Sequence, residues 1–215
     1  MKNLWMFTLL ISTISYSQKT YFFDFKMEYE YINYSDSTKN CIKTFYVNSK
    51  NNTYFAKRTS IDTTNSKIEF IDRNGVYLLK KFSNKIFNDR VIYINQSDVK
   101  DYSYPFIYQL DNYHFSDIND TIVNGKICKR LSFLSNDLNR AKKKKIGTLM
   151  YILDTNLNHQ PLLEFSTAFE VWKLNRKMPN GIIIESIQKS YENIIVSREK
   201  LKQIIPISMN LTIKE

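Results

Sequence analysis

The sequence predicts a mainly β protein, a single antiparallel sheet carrying one or two short helical segments. Three observations predict it. Three of the four glycines follow an asparagine, in Asn74-Gly75, Asn124-Gly125 and Asn180-Gly181, and Asn-Gly supplies the positive-φ residues of a type I′ hairpin turn. The run "FFDFKMEYEYIN" alternates between apolar and polar residues, the period of a strand with one buried and one wet face. The chain holds 15 Tyr and 14 Phe but only 4 Gly and 4 Pro, and aromatic richness favours strands.

The elements follow in chain order. The opening "MKNLWMFTLLISTISYSQK" sets Lys2 before an uncharged, mostly apolar run from Leu4 to Ile14, with Ser15 and Ser17 at the −3 and −1 spacing of a cleavage site. That grammar predicts a signal peptide over 1–17 and a β-rich domain over 18–215, exported to a periplasmic or extracellular space. No segment reaches the roughly 18 consecutive apolar residues of a membrane helix, so no transmembrane segment is expected. The first strand puts Phe23, Phe25, Met27, Tyr29 and Tyr31 on one face and Asp24, Lys26, Glu28 and Glu30 on the other. Further strands are expected at 42–48, 53–57, 67–72, 76–82, 90–95, 106–115, 127–134, 148–154, 182–188, 191–196 and 204–213. The stretches "KIEFIDRNGVYLLKKF", "DTIVNGKICKRLSF" and "MPNGIIIESI" place the three Asn-Gly turns. One helix is expected in "PLLEFSTAFEVWKL", where Leu162, Phe165, Phe169 and Trp172 stand at near-helical spacing behind Pro161. A short helical turn is expected near 197–204, and "RAKKKKIG" reads as a solvated loop. No repeat, linker or composition break divides the remainder, whose length suits one domain.

The chemistry-bearing residues are few. Cys41 and Cys128 are the only cysteines, open to three readings: inert half-buried thiols, a Cys41–Cys128 disulfide, or a reactive Cys128 activated by Lys129 and Arg130. A cysteine nucleophile needs a base beside it, and nothing in the sequence ties His114 or His159 to either thiol. In "DNYHFSD" a strand would point Asp111 and Asp117 away from His114, so no metal site is expected. Gly-x-Gly and Gly-x-Ser-x-Gly are both absent, which removes the dinucleotide loop and the hydrolase elbow. Glu28 and Glu30 read as the wet side of a strand rather than a catalytic pair. No cofactor and no catalytic residue is expected. The formal net charge of +10, with Lys142 to Lys145 as its densest patch, allows contact with an anionic envelope surface. Nucleic acid is not expected as a partner of an exported chain. The five Asn-x-Ser/Thr sequons, Asn119 and Asn210 among them, are what an asparagine-rich chain carries by chance.

The order of these pieces resembles a known family. "DTIVNGKICKRLSF" is similar to the Gly-Tyr-x-Cys-x-Lys-Ala hairpin of the GLPGLI family of exported Gram-negative proteins, with Cys128 at the family cysteine and Gly125 near the family glycine. "TLMYILDTNLNHQPLL" resembles the strand and proline loop that follow. "KMPNGIIIESI" stands where the family carries Leu-Pro-Gly-Leu-Ile, with Asn180 between Pro179 and Gly181. The likeness spans about 118–188. It implies a curved, half-barrel-like sheet similar to the lipoprotein carriers LolA and LolB, and no catalytic residue.

Two functional classes follow. In the first, the concave face holds a lipid or other apolar ligand against Phe23, Phe25, Met27, Tyr29, Tyr31, Phe169 and Trp172. In the second, the chain is a structural or protein-interaction component of the envelope without a small ligand. A thiol-dependent enzyme is the remote third. A concavity left open favours the first class; one plugged by Phe165, Phe169 and Trp172 favours the second.

Overall fold

The computed structural model describes residues 18–214; the expected signal peptide, 1–17, lies outside the described residues. The strands are β1 (Lys19–Asn33), β2 (Cys41–Asn48), β3 (Asn51–Ser60), β4 (Asn65–Asp72), β5 (Val76–Ser83), β6 (Val91–Asn95), β7 (Lys100–Asp101), β8 (Tyr113–Phe115), β9 (Asn119–Val123) and β10 (Lys126–Ser135). Helix α1 (Leu138–Lys144), β11 (Thr148–Asp154), helix α2 (Ser166–Asn175), β12 (Ile182–Lys189) and β13 (Ile195–Lys214) follow among the described residues. All thirteen strands join one open sheet in the order β7-β5-β4-β3-β2-β1-β13-β12-β11-β10-β8, with β9 on β10 and β6 on β13. Every pairing is antiparallel except β6 with β13. The mainly β, single-sheet architecture is therefore the one the alternation and turns predict.

β1 and β13 pair almost end to end, from Lys19↔Ile213 to Asn33↔Ser197, with register shifts at Phe23/Phe25 and Glu28/Tyr29. Such bulges bend and twist a strand pair. Pro206 lies at the first shift, opposite Phe25, a place where a strand tolerates a residue without an N–H. The second neighbour of β13 changes across this point. Its first half pairs with β12 as far as Lys200, and its last residues, Asn210 to Lys214, pair with β6. The expected helical turn at 197–204 is absent, because these residues pair residue by residue with β1.

The shift also divides the first strand. Met27 and Tyr29 join Phe45, Val47, Phe55 and Ile71 in one buried cluster. Tyr21 and Phe23 join Tyr46, Ala56, Ile68 and Phe70 in another. Phe45 and Tyr46 are consecutive, as are Phe70 and Ile71, so the two clusters lie on opposite faces. Ile92 and Ile94 of β6 complete the second cluster, with Ile86 and Phe87 packed against it. The expectation of five side chains on one face fails at Phe23, and this end of the sheet is buried on both sides.

Of the three Asn-Gly pairs, one makes the expected turn. Asn124 (φ 49°) and Gly125 (φ 78°) both adopt positive φ between paired Val123 and Lys126, a two-residue type I′ hairpin. Asn74-Gly75 closes the β4–β5 hairpin through a three-residue loop, with Gly75 N–H donating to Asp72 O at 3.0 Å. Asn180-Gly181 makes no hairpin. It feeds β12, and a Cβ on Gly181 would stand 2.7 Å from Asp154 O, so glycine is needed there for close backbone approach.

Three further segments differ from their expected form. The strand expected at 191–196 begins only at Ile195, because 191–194 form a turn in which Asn193 N–H donates to Ser190 O at 3.0 Å. Residues 106–112 are a 3₁₀ turn over Ile107–Asn112 rather than a strand, which begins only at Tyr113. The lysine run is the end of α1, not a loop: Asp137 caps it by accepting from Arg140 N–H at 2.9 Å, and Lys142, Lys143 and Lys144 fill its last turn, where cations complement the helix dipole. Among the described residues no helix is long and apolar enough to cross a membrane.

α2 lies over β10, β11 and β12 and forms a third cluster, in which Phe169 and Trp172 are 1% and 2% exposed beside Leu131, Phe133, Leu153 and Ile183. Trp172 Nε1–H donates to Met178 O at 2.9 Å. Phe169→Ala should cost about 3–5 kcal/mol of stability as a core truncation, read as a lowered denaturation midpoint at unchanged m-value. Gly125→Val should cost about 1–3 kcal/mol, because nothing crowds the new side chain and the whole cost is a β-branched residue at φ 78°; an unchanged midpoint would refute that account.

Candidate functional site

After a turn at 155–157 the chain crosses the ends of the sheet strands over 158–165 without helix or strand, and sheet groups take its polar atoms. Gln160 N–H donates to Ser49 O at 2.8 Å. Asn52 Nδ2 donates to Pro161 O at 2.9 Å, and Gln160 Oε1 accepts from Asn52 N–H at 3.1 Å. Arg73, in the β4–β5 turn, donates to Leu163 O and to Asn52 O, the latter at 3.1 Å. Its guanidinium lies 3.9 Å from the Phe169 ring centroid and 5.2 Å from that of Phe55. Burial holds its pKa down at about 10. Arg73 thus clamps this strap and α2 to the sheet.

Beside the clamp lies a cavity of about 780 Å³, within the size range of ligand pockets. Tyr29, Tyr31, Tyr102, Tyr104, Phe133 and Phe165 wall it, and Phe106 stands in its rim, 46% exposed. The lip is tied to the start of α2: Tyr102 Oη donates to Ser166 Oγ at 3.1 Å, and Tyr104 Oη donates to Thr167 Oγ1 at 2.9 Å.

Five charged side chains line the same space. Lys57 Nζ pairs with Glu69 at 2.6 Å and Glu164 at 2.5 Å. Lys43 Nζ pairs with Glu199 and, at 3.4 Å, with Glu164, and lies 4.4 Å from the Tyr31 ring centroid. Burial opposes the charge of each. For Glu164 the two lysines outweigh burial and hold its carboxyl below the usual range. For Lys43 and Lys57 the carboxylates outweigh it and raise both ammonium groups. Tyr29 Oη donates to Ile183 O at 2.7 Å. Tyr151, 3% exposed, also lines the cavity, and its hydroxyl has no partner among the described residues.

Of the seven residues expected at a ligand site, Tyr29 and Tyr31 line the cavity. Met27 is buried in the cluster that floors this face, and Phe25 packs against that cluster with its ring 4.5 Å from that of His159. Phe169 and Trp172 are core beneath α2, and Phe23 belongs to the opposite face. Lys43, Lys57, Glu69, Glu164 and Glu199 were not expected. Their signal is faint but present: Lys43 stands two residues from Phe45, Lys57 two from Phe55 and Glu69 two from Ile71, so each charge shares the face of a buried apolar neighbour.

Both cysteines are free. β2, which carries Cys41, and β10, which carries Cys128, are five strand spacings apart in the sheet, about 24 Å at ~4.8 Å each, far beyond disulfide reach. Cys128 is 2% exposed. Burial, then the charge of Asp154, pushes its thiol up against a smaller opposing effect of Lys126, which leaves less of the reactive thiolate. In "DNYHFSD", His114 Nδ1 bonds Asn136 and Asp117 pairs with Lys177 at 2.9 Å. Among the described residues no three His, Cys, Asp or Glu side chains converge as metal ligands would.

No protein-family model matches the chain. No curated protein matches it. Among solved structures it is similar to MucB in complex with MucA(peri), at 9% identity and TM-score 0.43, covering 87% of this chain and 51% of that one. MucB alone gives 10% identity and TM-score 0.43 over 87% and 54%; the MucA/MucB complex of Pseudomonas aeruginosa gives 10% and 0.44 over 86% and 52%. The chain spans about half the length of these structures.

His159 anchors the strap from inside. It is buried, its Nδ1 has no partner among the described residues, and its carbonyl accepts from Gly181 N–H at 2.7 Å. Burial lowers its pKa, with Asp24 opposing. Below about pH 6.5 the unfolded chain takes a proton there that the folded chain refuses, so stability falls as pH drops from that point toward the folded-state pKa. His159→Gln should flatten the dependence of unfolding free energy on pH just below about pH 6.5, measured by urea denaturation; an unaltered slope would mean that His159 is not the group responsible.

Proposed function

We propose that this chain is an exported, non-catalytic binding protein of the cell envelope whose cleft takes a segment of a partner polypeptide. The observation that carries the reading is the division of the concave face. One half is plugged by Phe169 and Trp172, and the half left open sets five charged side chains among tyrosines. An acyl chain laid there would gain about 25 cal/mol per Å² of buried apolar surface. It would also strip water from partly exposed ions, at several kcal/mol for each ion left imperfectly paired. A polypeptide brings amide and charged groups that can meet carboxylates and hydroxyls as well as apolar groups for the aromatic walls. The reading thus favours the interaction class over a lipid ligand. Membership of the GLPGLI family belongs to the same proposal, supported by Cys128 and the type I′ turn at Asn124-Gly125. So does removal of 1–17 on export, supported by the charged, apolar and small-residue order of that segment. The exposed lysines of α1 support a contact with anionic envelope surface alongside it.

Native mass spectrometry of the protein recovered from its own envelope tests these points together. The expected species begins near Gln18 and carries no lipid, and a fluorescent fatty acid shows no saturable uptake. A photo-crosslinking residue in place of Phe106 should trap a polypeptide, and Glu164→Lys should abolish the trapping. A stoichiometric lipid adduct with saturable fatty-acid binding would instead make this a lipid carrier, and retention of 1–17 would remove the export reading.

A further inference from the structure

We infer that the cleft recognises a basic side chain, lysine or arginine, seated between Tyr151, Glu199 and the aromatic wall; this rests on the polypeptide reading above. Three features lead there. The charged residues lining the cavity are two lysines and three glutamates, so the site carries one negative charge more than its own cations neutralise. The second feature is the orphan hydroxyl. Tyr151, which lines the cavity, is 97% buried, and its Oη has no partner among the described residues; a buried hydroxyl without a partner costs free energy that native structures seldom leave uncompensated. Burial and then the negative charges of Glu199 and Glu164 raise its pKa, against a smaller opposing effect of Arg73, so the carboxylates outweigh the resident cation at the oxygen's lone pairs and an N–H donor meets them in a favourable field. The third feature is a precedent within the site. Lys43 sits 4.4 Å from the Tyr31 ring centroid while bonding Glu199, so this wall already holds one ammonium by ring face and carboxylate.

Glu199 has room for a second donor. One oxygen is taken by Lys43, and among the described residues the other has only Ser186 Oγ at 3.4 Å, a weak contact. The strand pairings bring these groups side by side: Glu199 faces Ser186 across β13 and β12, and Ser186 faces Tyr151 across β12 and β11. An incoming cation would therefore find the half-free carboxylate oxygen and the free hydroxyl on one line across the sheet. Tyr31, opposite Glu199 in β1, offers its ring from the next strand.

Isothermal titration with two capped pentapeptides tests the inference: Ala-Phe-Lys-Phe-Ala, and the same peptide with norleucine, which keeps the stem and lacks the ammonium. The lysine peptide should bind about tenfold tighter, the scale of one charge-assisted hydrogen bond. Tyr151→Phe and Glu199→Gln should each remove about that factor for lysine and leave norleucine unchanged. Tyr151→Phe should unfold at the same midpoint or a higher one, since the hydroxyl it removes has no partner. Equal affinity for the two peptides, or an unaltered lysine affinity in Tyr151→Phe, would overturn basic-side-chain recognition and leave the polypeptide cleft standing. A lowered midpoint in Tyr151→Phe would make the hydroxyl structural and overturn it equally. Binding of neither peptide would overturn both readings.

Discussion

The pairing of β1 with β13 is the constraint from which the rest follows. A 15-residue and a 20-residue strand run antiparallel along almost their whole lengths. Paired strands this long accumulate right-handed twist, and two register shifts add local bends. Pro206 removes an N–H from a part of β13 that, among the described residues, has β1 as its one ladder partner, so residue 206 brings no donor for the bend to orphan. Because β13 bends, its ends can serve different neighbours, β12 on one side of the shift and β6 on the other. Because β1 bends with it, Phe23 and Met27 pack against opposite faces of β2, and a single sheet closes two separate cores.

The charged floor of the cleft is not an economical way to hold a fold together. Partly buried ion pairs gain Coulomb energy but lose solvation, and apolar residues of similar volume often serve stability as well or better. Here three carboxylates and two ammonium groups share one space with tyrosines, while the adjoining half of the same face is filled by Phe169, Trp172 and their neighbours. The contrast within one concavity separates the two duties: apolar packing where α2 must stay, fixed charges where something else must be met. The lysines stay charged because the carboxylates outweigh their desolvation, so the floor is preorganised before any guest arrives, and its polarity is set by strand register rather than by loop conformation.

Much of the sheet is legible in the sequence because it rests on local rules. The alternation of 22–33 and the Asn124-Gly125 turn are read directly from residue type and spacing. What escapes is what tertiary contact decides. Phe23 changes face at a shift in the β1–β13 register that no local pattern records. Residues 106–112 have strand-like aromatics but turn tightly under the lip of the cleft. The lysine run hides a helix whose signals, Asp137 at the N-cap and cations at the C-terminus, are outweighed to the eye by its charge. The cleft itself was half legible: Tyr29 and Tyr31 follow from alternation, whereas Lys43, Lys57 and Glu69 look like wet-face residues until their parity with Phe45, Phe55 and Ile71 is counted.

The strap before α2 shows how one such departure creates the site. The apolar spacing of Leu162, Phe165 and Phe169 fits a helix starting at Pro161, yet the helix begins at Ser166. In a helix the carbonyls of Pro161 and Leu163 would accept from the N–H groups of Phe165 and Thr167. Both are taken instead, by Asn52 Nδ2 and by the Arg73 guanidinium. Each sheet group satisfies a strap carbonyl that a helix would have satisfied internally, so the extended form leaves neither of them unpaired. The gain beyond that is positional. Five residues of helix would occupy about 7.5 Å of axis and carry Glu164 wherever the helical turn placed it; extended, the strap lays Glu164 between Lys43 and Lys57 and leaves the space beside Phe165 open. Arg73 is therefore a structural residue with a functional consequence: by holding five residues out of a helix, it keeps the cleft from being filled by the protein's own chain.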